Sequence, residues 1–378
     1  MRLRVAFFFF GLLFHLSISK VIQTFTIFRH GARTPSHFNF EPGQYTQKPG
    51  DLTDLGKQQT RELGERLRRK YIEGEKLISP EYDNKHQVFV KSSVLLRTNE
   101  STAHVLKGLF PNKNLNDITV NYACTVRDLY YHAHKEANCP FIAPALENVK
   151  RSDEYLSMES YFRRNLYPTM VQKINEGGRH NYTVDMLNMV QAKRIFDGYK
   201  CNSVHGKKNP NYSKEEVEML YKLNLWLLYR YNFGPEIVQK LTNSPVFEDI
   251  YNFMDCITDA NKHMHDMCPR MALFSAHDFN LVPILKSLVP LNKLLNDKQY
   301  VPPFASDITI EVHQDHLNEE PWVQVLYNGK VLPLWEGNLK RVSRTEFRRF
   351  LKINIVPNVA ATCTGEAAEV DPRSIFLN

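Results

Sequence analysis

A histidine between two arginines is the first feature of this sequence that could do chemistry. The run Phe28-Arg29-His30-Gly31-Ala32-Arg33-Thr34-Pro35 sets one guanidinium just before an imidazole and another three residues after it. Buried together in a core, two such cations would repel and lose their hydration. Around a phosphate they are well matched, because its oxygens accept paired N–H donors in the fixed geometry of a guanidinium. An arginine-rich surface turn is the competing reading of this segment by itself. Ser275-Ala276-His277-Asp278 adds a second histidine beside a carboxylic acid, and the stretch from Lys91 to Thr98 adds Arg97. Each reads alone as a surface turn or helix cap. Together they supply a nucleophile, cationic clamps and a proton donor, the parts that phosphoryl transfer needs.

These segments require elements that bring them to one place. Val21–Phe28 is rich in β-branched and aromatic residues on both faces and reads as a central strand. Gln87–Lys91 reads as a short strand and Arg270–Ser275 as another. Each is followed by a helical pattern: Thr53 to about Tyr71, about Glu100 to Leu109, and a helix running to about Leu288. All three chemical segments therefore sit where a strand gives way to a loop or helix, the edge at which α/β proteins build their sites. Gly31 is expected to let the backbone turn tightly beside a ligand. Later, Ile308, Ile310 and Val312 alternate as a strand, and Trp322–Leu334 reads as a hairpin around Asn328-Gly329. Ser343 with Glu346 caps a final helix. The middle is helical and polar, with a capping box at Ser213 and Glu216 ahead of a helix from Val217 to Tyr231. The expected architecture is α/β: a mostly parallel central sheet flanked by helices, carrying an inserted, mainly helical cap. The boundaries are 20–125 and 266–378 for the catalytic domain and 126–265 for the cap.

Composition limits the alternatives. The chain has 378 residues, 43% hydrophobic and 24% charged, which excludes disorder, collagen and a coiled coil as the main architecture. The net charge of +7 suits anions without demanding nucleic acid, and the one basic cluster, Arg66 to Lys70, interleaves with Glu62 and Glu65 as a solvated helix face. Arg2 and Arg4 precede an apolar run from Val5 to Phe14 and then Ser17-Ile18-Ser19, the pattern of a secretory signal peptide over residues 1–19. No run is long enough for a membrane span. Six cysteines, Cys124, Cys139, Cys201, Cys256, Cys268 and Cys363, fit three disulfides in an oxidising compartment and no zinc spacing. Sequence spacing does not choose among their pairings. Sequons stand at Asn99, Asn181 and Asn211. The pairs His132/His134 and His263/His265 lack carboxylate-rich partners, so neither a metal nor another cofactor is expected.

The combination resembles the histidine acid phosphatase family, the secreted branch of the histidine phosphatases. Arg29 to Pro35 matches its signature, and Ser275 to Asp278 matches its second one. Leu52-Thr53 with Gly56 and Gln59, and Leu63-Gly64 with Leu67-Arg68, match its first helix. Pro302 to Ser306 resembles its late segment. The resemblance implies hydrolysis of small-molecule phosphate monoesters without a metal. His30 would be the nucleophile and Asp278 the acid. Arg29, Arg33, Arg97 and His277 would hold the phosphate. Asp278, beside a phosphate anion, should have a pKa above its free value of about 4, and flanking arginines should keep His30 neutral. An acidic optimum is the consequence. The third family motif departs here, with Lys91 for an arginine and Val94 for an aspartate, so altered local support of Arg97 is expected. Asp307 stands where the family often has a cysteine whose partner looks like Cys201. The pairings implied are Cys139–Cys363, Cys256–Cys268 and Cys124–Cys201. Asn99 lies too near the pocket for a glycan, leaving Asn181 and Asn211. The enzyme is expected to be secreted or lysosomal, acting alone or as a homodimer. A phytase-like or other narrow-range phosphatase is the nearest alternative, and a non-catalytic binder of phospho-ligands the next.

Overall fold

A computed structural model describes residues 19–364 apart from 38–42, 83–86, 123–128, 136, 177, 179, 257–267 and 316–318. Most of the expected leader, Cys124, His263 and His265 lie outside the described residues. Strand β1 (Lys20–Arg29) is buried along nearly its whole length, as a run of Phe, Ile and Thr without strict alternation requires. Helix α1 (Asp54–Leu67) follows, capped by the Thr53 hydroxyl and continued by a wider turn over Arg68–Gly74. Then come β2 (Val88–Ser92), α2 (Leu96–Leu109) and β3 (Asn121–Tyr122). Helix α2 begins several residues earlier than its apolar pattern suggests, so Arg97 sits in its first turn. No side chain caps Leu95; instead the Thr98 hydroxyl donates to the carbonyls of Ser93 and Leu95.

A helical stretch runs from here to β4: α3 (Leu129–His132), α4 (Ile142–Lys150), α5 (Asp153–Asn165), α6 (Tyr167–Asn175), α7 (Met189–Val204), α8 (Lys214–Trp226) and α9 (Glu236–Cys256). Helix α8 carries the Ser213–Glu216 capping box in both directions and is extended over Leu227–Asn232. The chain then returns to the sheet through β4 (Met271–Ala276) and α10 (Asp278–Leu288), and α11 (Leu291–Asn296) follows. The last part holds β5 (Asp307–Gln314), β6 (Trp322–Tyr327), β7 (Lys330–Val331), β8 (Val342–Ser343), α12 (Arg344–Ile353) and α13 (Val359–Thr364). The hairpin turn between β6 and β7 places both Asn328 and Gly329 at positive φ, 51° and 77°, as a two-residue turn of matching twist demands.

The sheet order is β3-β2-β4-β1-β5-β6-β7, with β8 also on β6. Strands β3, β2, β4 and β1 run parallel, while β5 onward is antiparallel. Because β1, β2 and β4 are parallel neighbours, their carboxyl ends open on one edge. Phe28, Leu63, Leu67 and Val105 form the core on the face covered by α1 and α2. Phe25, Ile27, Phe274 and Leu285 join the larger core on the other face, which continues into the helices between β3 and β4. Among the described residues no helix is long and apolar enough to cross a membrane.

Cys139 is bonded to Cys363, and Cys256 to Cys268. Of the implied Cys124–Cys201 pair, Cys124 lies outside the described residues, and Cys201 is a buried free thiol with Arg33 Nη1 3.5 Å from its sulfur. Asp307, at the position of the missing cysteine, is fully buried, pairs with Arg66, and accepts from the Thr309 hydroxyl at 3.0 Å. A charge network thus stands at the position where the resemblance implies a cysteine. Lys91 bonds Asp249 at 3.0 Å and lies 3.7 Å from the Tyr130 ring, while Val94 is exposed.

Candidate active site

The three chemical segments meet at the carboxyl edge of the parallel strands. His30 is the first residue past β1, and its amide donates to the Ala276 carbonyl at the end of β4. Its carbonyl accepts from Ala305, which ties the Pro302–Ser306 loop to the same point. The His30 Nδ1 is 2.8 Å from the Gly31 carbonyl. A carbonyl only accepts, so Nδ1 carries the proton and Nε2 keeps its lone pair. The His277 ring stands 5.5 Å away, nearly edge-on, with its Nε2 3.1 Å from the Ser93 hydroxyl.

Gly31 does a different job from the one expected of it. A Cβ there would fall 2.1 Å from the Gly56 carbonyl oxygen, and one on Gly56 would fall 2.1 Å from that of Ala32. The two glycines let the start of α1 press on the histidine loop. Gln59 accepts from the Ala32 amide at 2.9 Å, and the Ser101 hydroxyl accepts from the Gly31 amide at 3.1 Å. The family-like Gly56 and Gln59 therefore hold the loop and touch nothing that reacts.

The three arginines differ in how far they are committed. Arg29 Nη1 donates to the Pro302 carbonyl at 2.6 Å, Nη2 pairs with Asp278 at 3.2 Å, and the guanidinium lies 4.2 Å from the Phe304 ring. Arg33 Nη2 reaches both oxygens of Asp197 at 3.1 Å each. The Arg97 guanidinium makes no hydrogen bond or ion pair among the described residues, and its buried Nε is unpartnered. Burial, reinforced by Arg33, pulls its pKa down to about 10. It is a charged group with its donors held in reserve.

Burial, with Arg29, Arg97 and Arg33, holds His30 well below the ordinary histidine pKa, so the ring is neutral. Burial and the nearby His30 do the same to His277. The expectation of a raised Asp278 pKa concerns the complex with a phosphate anion; the protein alone differs. Burial pushes its carboxyl up, but Arg29, Lys200 and Lys193 outweigh that and hold it well below the usual carboxylate range. As first residue of α10 it also meets the positive end of the helix, and its Oδ1 accepts from the Phe279 amide at 3.1 Å.

Sequence reasoning missed α7. Lys193, Asp197 and Lys200 fall at i, i+4 and i+7, one face of a helix. That spacing was readable as a charged face; that the face meets Arg33 was not. Phe304, the aromatic wall beside Arg29 and His30, was also missed. His132 and His134 do lie close by, with the His132 ring 5.0 Å from His277 and the His134 ring stacked 4.9 Å from Phe279. No group of three or more ligand-type side chains gathers as a metal site among the described residues. Asn181 and Asn211 are exposed, whereas Asn99 lies within α2 and accepts from the Ser92 hydroxyl at 3.0 Å.

Comparison with known proteins adds an independent line. The sequence model of the histidine phosphatase superfamily (branch 2) matches residues 20–328. The chain is 26% identical to mouse lysophosphatidic acid phosphatase type 6 over 328 residues, covering 81% of this chain and 69% of that protein. It is 26% identical to human prostatic acid phosphatase over 323 residues, covering 80% and 76% of the two. The fold is similar to that of the phytase from Citrobacter braakii, with TM-score 0.65 at 18% identity, covering 91% of this chain and 100% of that one. It is likewise similar to the Hafnia alvei phytase in complex with tartrate, with TM-score 0.66 at 14% identity, covering 90% and 98%.

Proposed function

The chain belongs to the histidine phosphatase superfamily (branch 2), and from that membership and the geometry at His30 we propose a two-step hydrolysis of phosphate monoesters. It is an acid phosphatase. The observation that carries the mechanism is the fixed tautomer of His30, with Nδ1 bonded to the Gly31 carbonyl and a neutral ring among three arginines.

In the first step the Nε2 lone pair of His30 attacks phosphorus in line. The ester P–O bond breaks, and its electron pair leaves on the alcohol oxygen, which takes a proton from Asp278. In the second step water attacks phosphorus, its proton goes to the Asp278 carboxylate, and the P–N bond breaks back onto Nε2. Ester and water become alcohol and inorganic phosphate. Arg97, with its uncommitted donors, and Arg29, Arg33 and His277 hold the oxygens on which charge develops. The two negative charges of a phosphate ester lie beside Asp278 and compete for Arg29. Both effects raise the Asp278 pKa, so the carboxyl gains its proton in the complex and an acidic optimum results.

Residues 1–19 act as a secretory leader and 126–265 as a cap that lends α7 to the pocket. The two disulfides fit a secreted or lysosomal enzyme, and glycans fit the exposed Asn181 and Asn211. All the proposed groups come from one chain, so a monomer or a homodimer serves the reaction equally. Phosphate release from an aryl phosphate, followed across pH for wild type and His30→Ala, tests the reading. A loss of about 10⁴-fold or more is expected for a removed nucleophile. A base-stable, acid-labile phosphoryl label on the wild-type protein, absent from His30→Ala, is expected as well. Retention of turnover by the variant would overturn it.

A further inference from the structure

Helix α7 brings more positive charge to the pocket than a single phosphate uses. Arg33 contacts both Asp197 and Cys201, which fixes the face of α7 that looks into the site. Lys193 and Lys200 lie on that face. The Lys193 Nζ stands 4.4 Å from the ring of Phe279, the residue after Asp278, and the same ring is stacked by His134. The Lys200 Nζ stands 5.3 Å from the Phe196 ring. Neither ammonium makes an ion pair among the described residues, because the nearby carboxylates are already engaged, Asp197 by Arg33 and Asp278 by Arg29. Burial lowers both lysines, Lys193 to about 8, yet leaves them charged in acid.

Among the described residues five cations, Arg29, Arg33, Arg97, Lys193 and Lys200, thus face two carboxylates, Asp197 and Asp278, while His30, His277 and His134 are held neutral by burial. A phosphate dianion offsets two of the three excess charges and leaves one, and the proton that Asp278 gains in the complex leaves a second. The surplus sits beside Asp278, which is the leaving-group side, since Asp278 protonates the departing oxygen. The ring faces offset part of the cost of burying the two ammonium groups, but like charges this close cost stability until an anion joins them.

We infer that Lys193 and Lys200 form a second anion subsite for the leaving group, so that the preferred substrates are phosphate monoesters of alcohols that themselves carry a carboxylate or a second phosphoryl group. The inference rests on the phosphatase reading above. Asp197 lies between the two lysines on this face of α7 and is held by Arg33. Phe279 and Phe304 supply apolar walls to the carbon skeleton between the two anionic ends.

The test compares glycerol 3-phosphate with 3-phosphoglycerate, which share a skeleton and differ in one carboxylate. Phosphate release is measured for wild type, the double variant Lys193→Gln/Lys200→Gln, and the double variant Lys193→Arg/Lys200→Arg. Wild type is expected to favour 3-phosphoglycerate about tenfold or more in kcat/KM, chiefly through KM. The glutamine variant should lose that ratio and the arginine variant should keep most of it. Turnover of both substrates with a wild-type ratio near one, or a ratio that survives in the glutamine variant, would overturn this inference alone. Turnover of neither would overturn the phosphatase reading and this inference with it.

Discussion

Arg29 Nη2 lies 3.2 Å from Asp278 Oδ2, an ion pair across the ends of β1 and β4. The proposed acid is therefore ionised and engaged before any substrate arrives. An anion that draws Arg29 away from Asp278 changes the proton count of the whole site, since His30 and His277 are also held neutral. The two histidines have folded pKa values below the unfolded value of about 6.5. The unfolded chain takes up protons that the folded one refuses, so their contribution to stability is present above that value and lost as pH falls. Asp278 and Asp197, depressed below about 4, add the same loss at lower pH.

Sulfate, doubly charged from pH 4 to 8, isolates this linkage. Bound at the clamps, it should raise the pKa of Asp278 and both histidines and so bind more tightly in acid. Thermal unfolding with and without sulfate is expected to show a larger rise in midpoint at pH 5 than at pH 8. An equal or larger rise at pH 8 would contradict the charge assignment.

Arg97 and Arg33 should separate catalysis from stability. Arg97 has no protein partner to lose, so Arg97→Ala should lower kcat/KM for an aryl phosphate about 10²–10³-fold and leave the unfolding midpoint no lower than wild type. Arg33→Ala strands Asp197 and should lower both. Paired activity and thermal measurements check this, and a destabilised Arg97→Ala would refute it.

How much of this was legible in the sequence depends on the range of the interaction. The handover from an apolar strand to a charged turn is local, so the three segments around His30, Arg97 and His277 were readable from residue type and order. Their convergence followed from the parallel order of β2, β4 and β1. The start of α2 was misplaced because Thr98 closes its first turn through hydroxyl bonds that leave no apolar period. The free Cys201, the Arg33–Asp197 fork and the ionised Asp278 depend on which face of α7 meets which strand end. A helical period gives the face and not its partner.

Asp197 joins α7 to the histidine loop, and its loss should be felt in folding. It and Arg33 are largely buried, with side-chain exposures of 18% and 11%. Breaking such a pair leaves the buried Arg33 guanidinium without its carboxylate and costs about 3 kcal/mol or more. Asp197→Ala should therefore lower the denaturation midpoint with an unchanged denaturant dependence, and addition of sulfate should recover part of the loss. A variant as stable as wild type would show that the fork contributes little.

The close approach of α1 to the histidine loop yields the last prediction. Gly56 faces the Ala32 carbonyl so closely that a Cβ would sit 2.1 Å from its oxygen and 2.8 Å from the Leu52 side chain. The carbonyl cannot rotate aside, because it accepts from both the Thr53 amide at 3.0 Å and the Thr53 hydroxyl at 3.1 Å. Gly56→Ala must therefore push α1 away from Gly31, and overpacking of this kind costs about 1–3 kcal/mol. The displaced turn also carries Gln59, which holds the Ala32 amide, so the ring of His30 loses its aim as well. Turnover should fall by more than the loss of folded protein explains, with kcat reduced more than KM is raised. Gly43, where no atom of the described residues lies within 4 Å of an added Cβ, supplies the contrast. Its positive φ of 87° favours glycine, so Gly43→Ala should cost stability and leave the kinetics of the folded fraction as they are. Equal kinetic effects from the two variants would refute the role given to the Gly31–Gly56 contact.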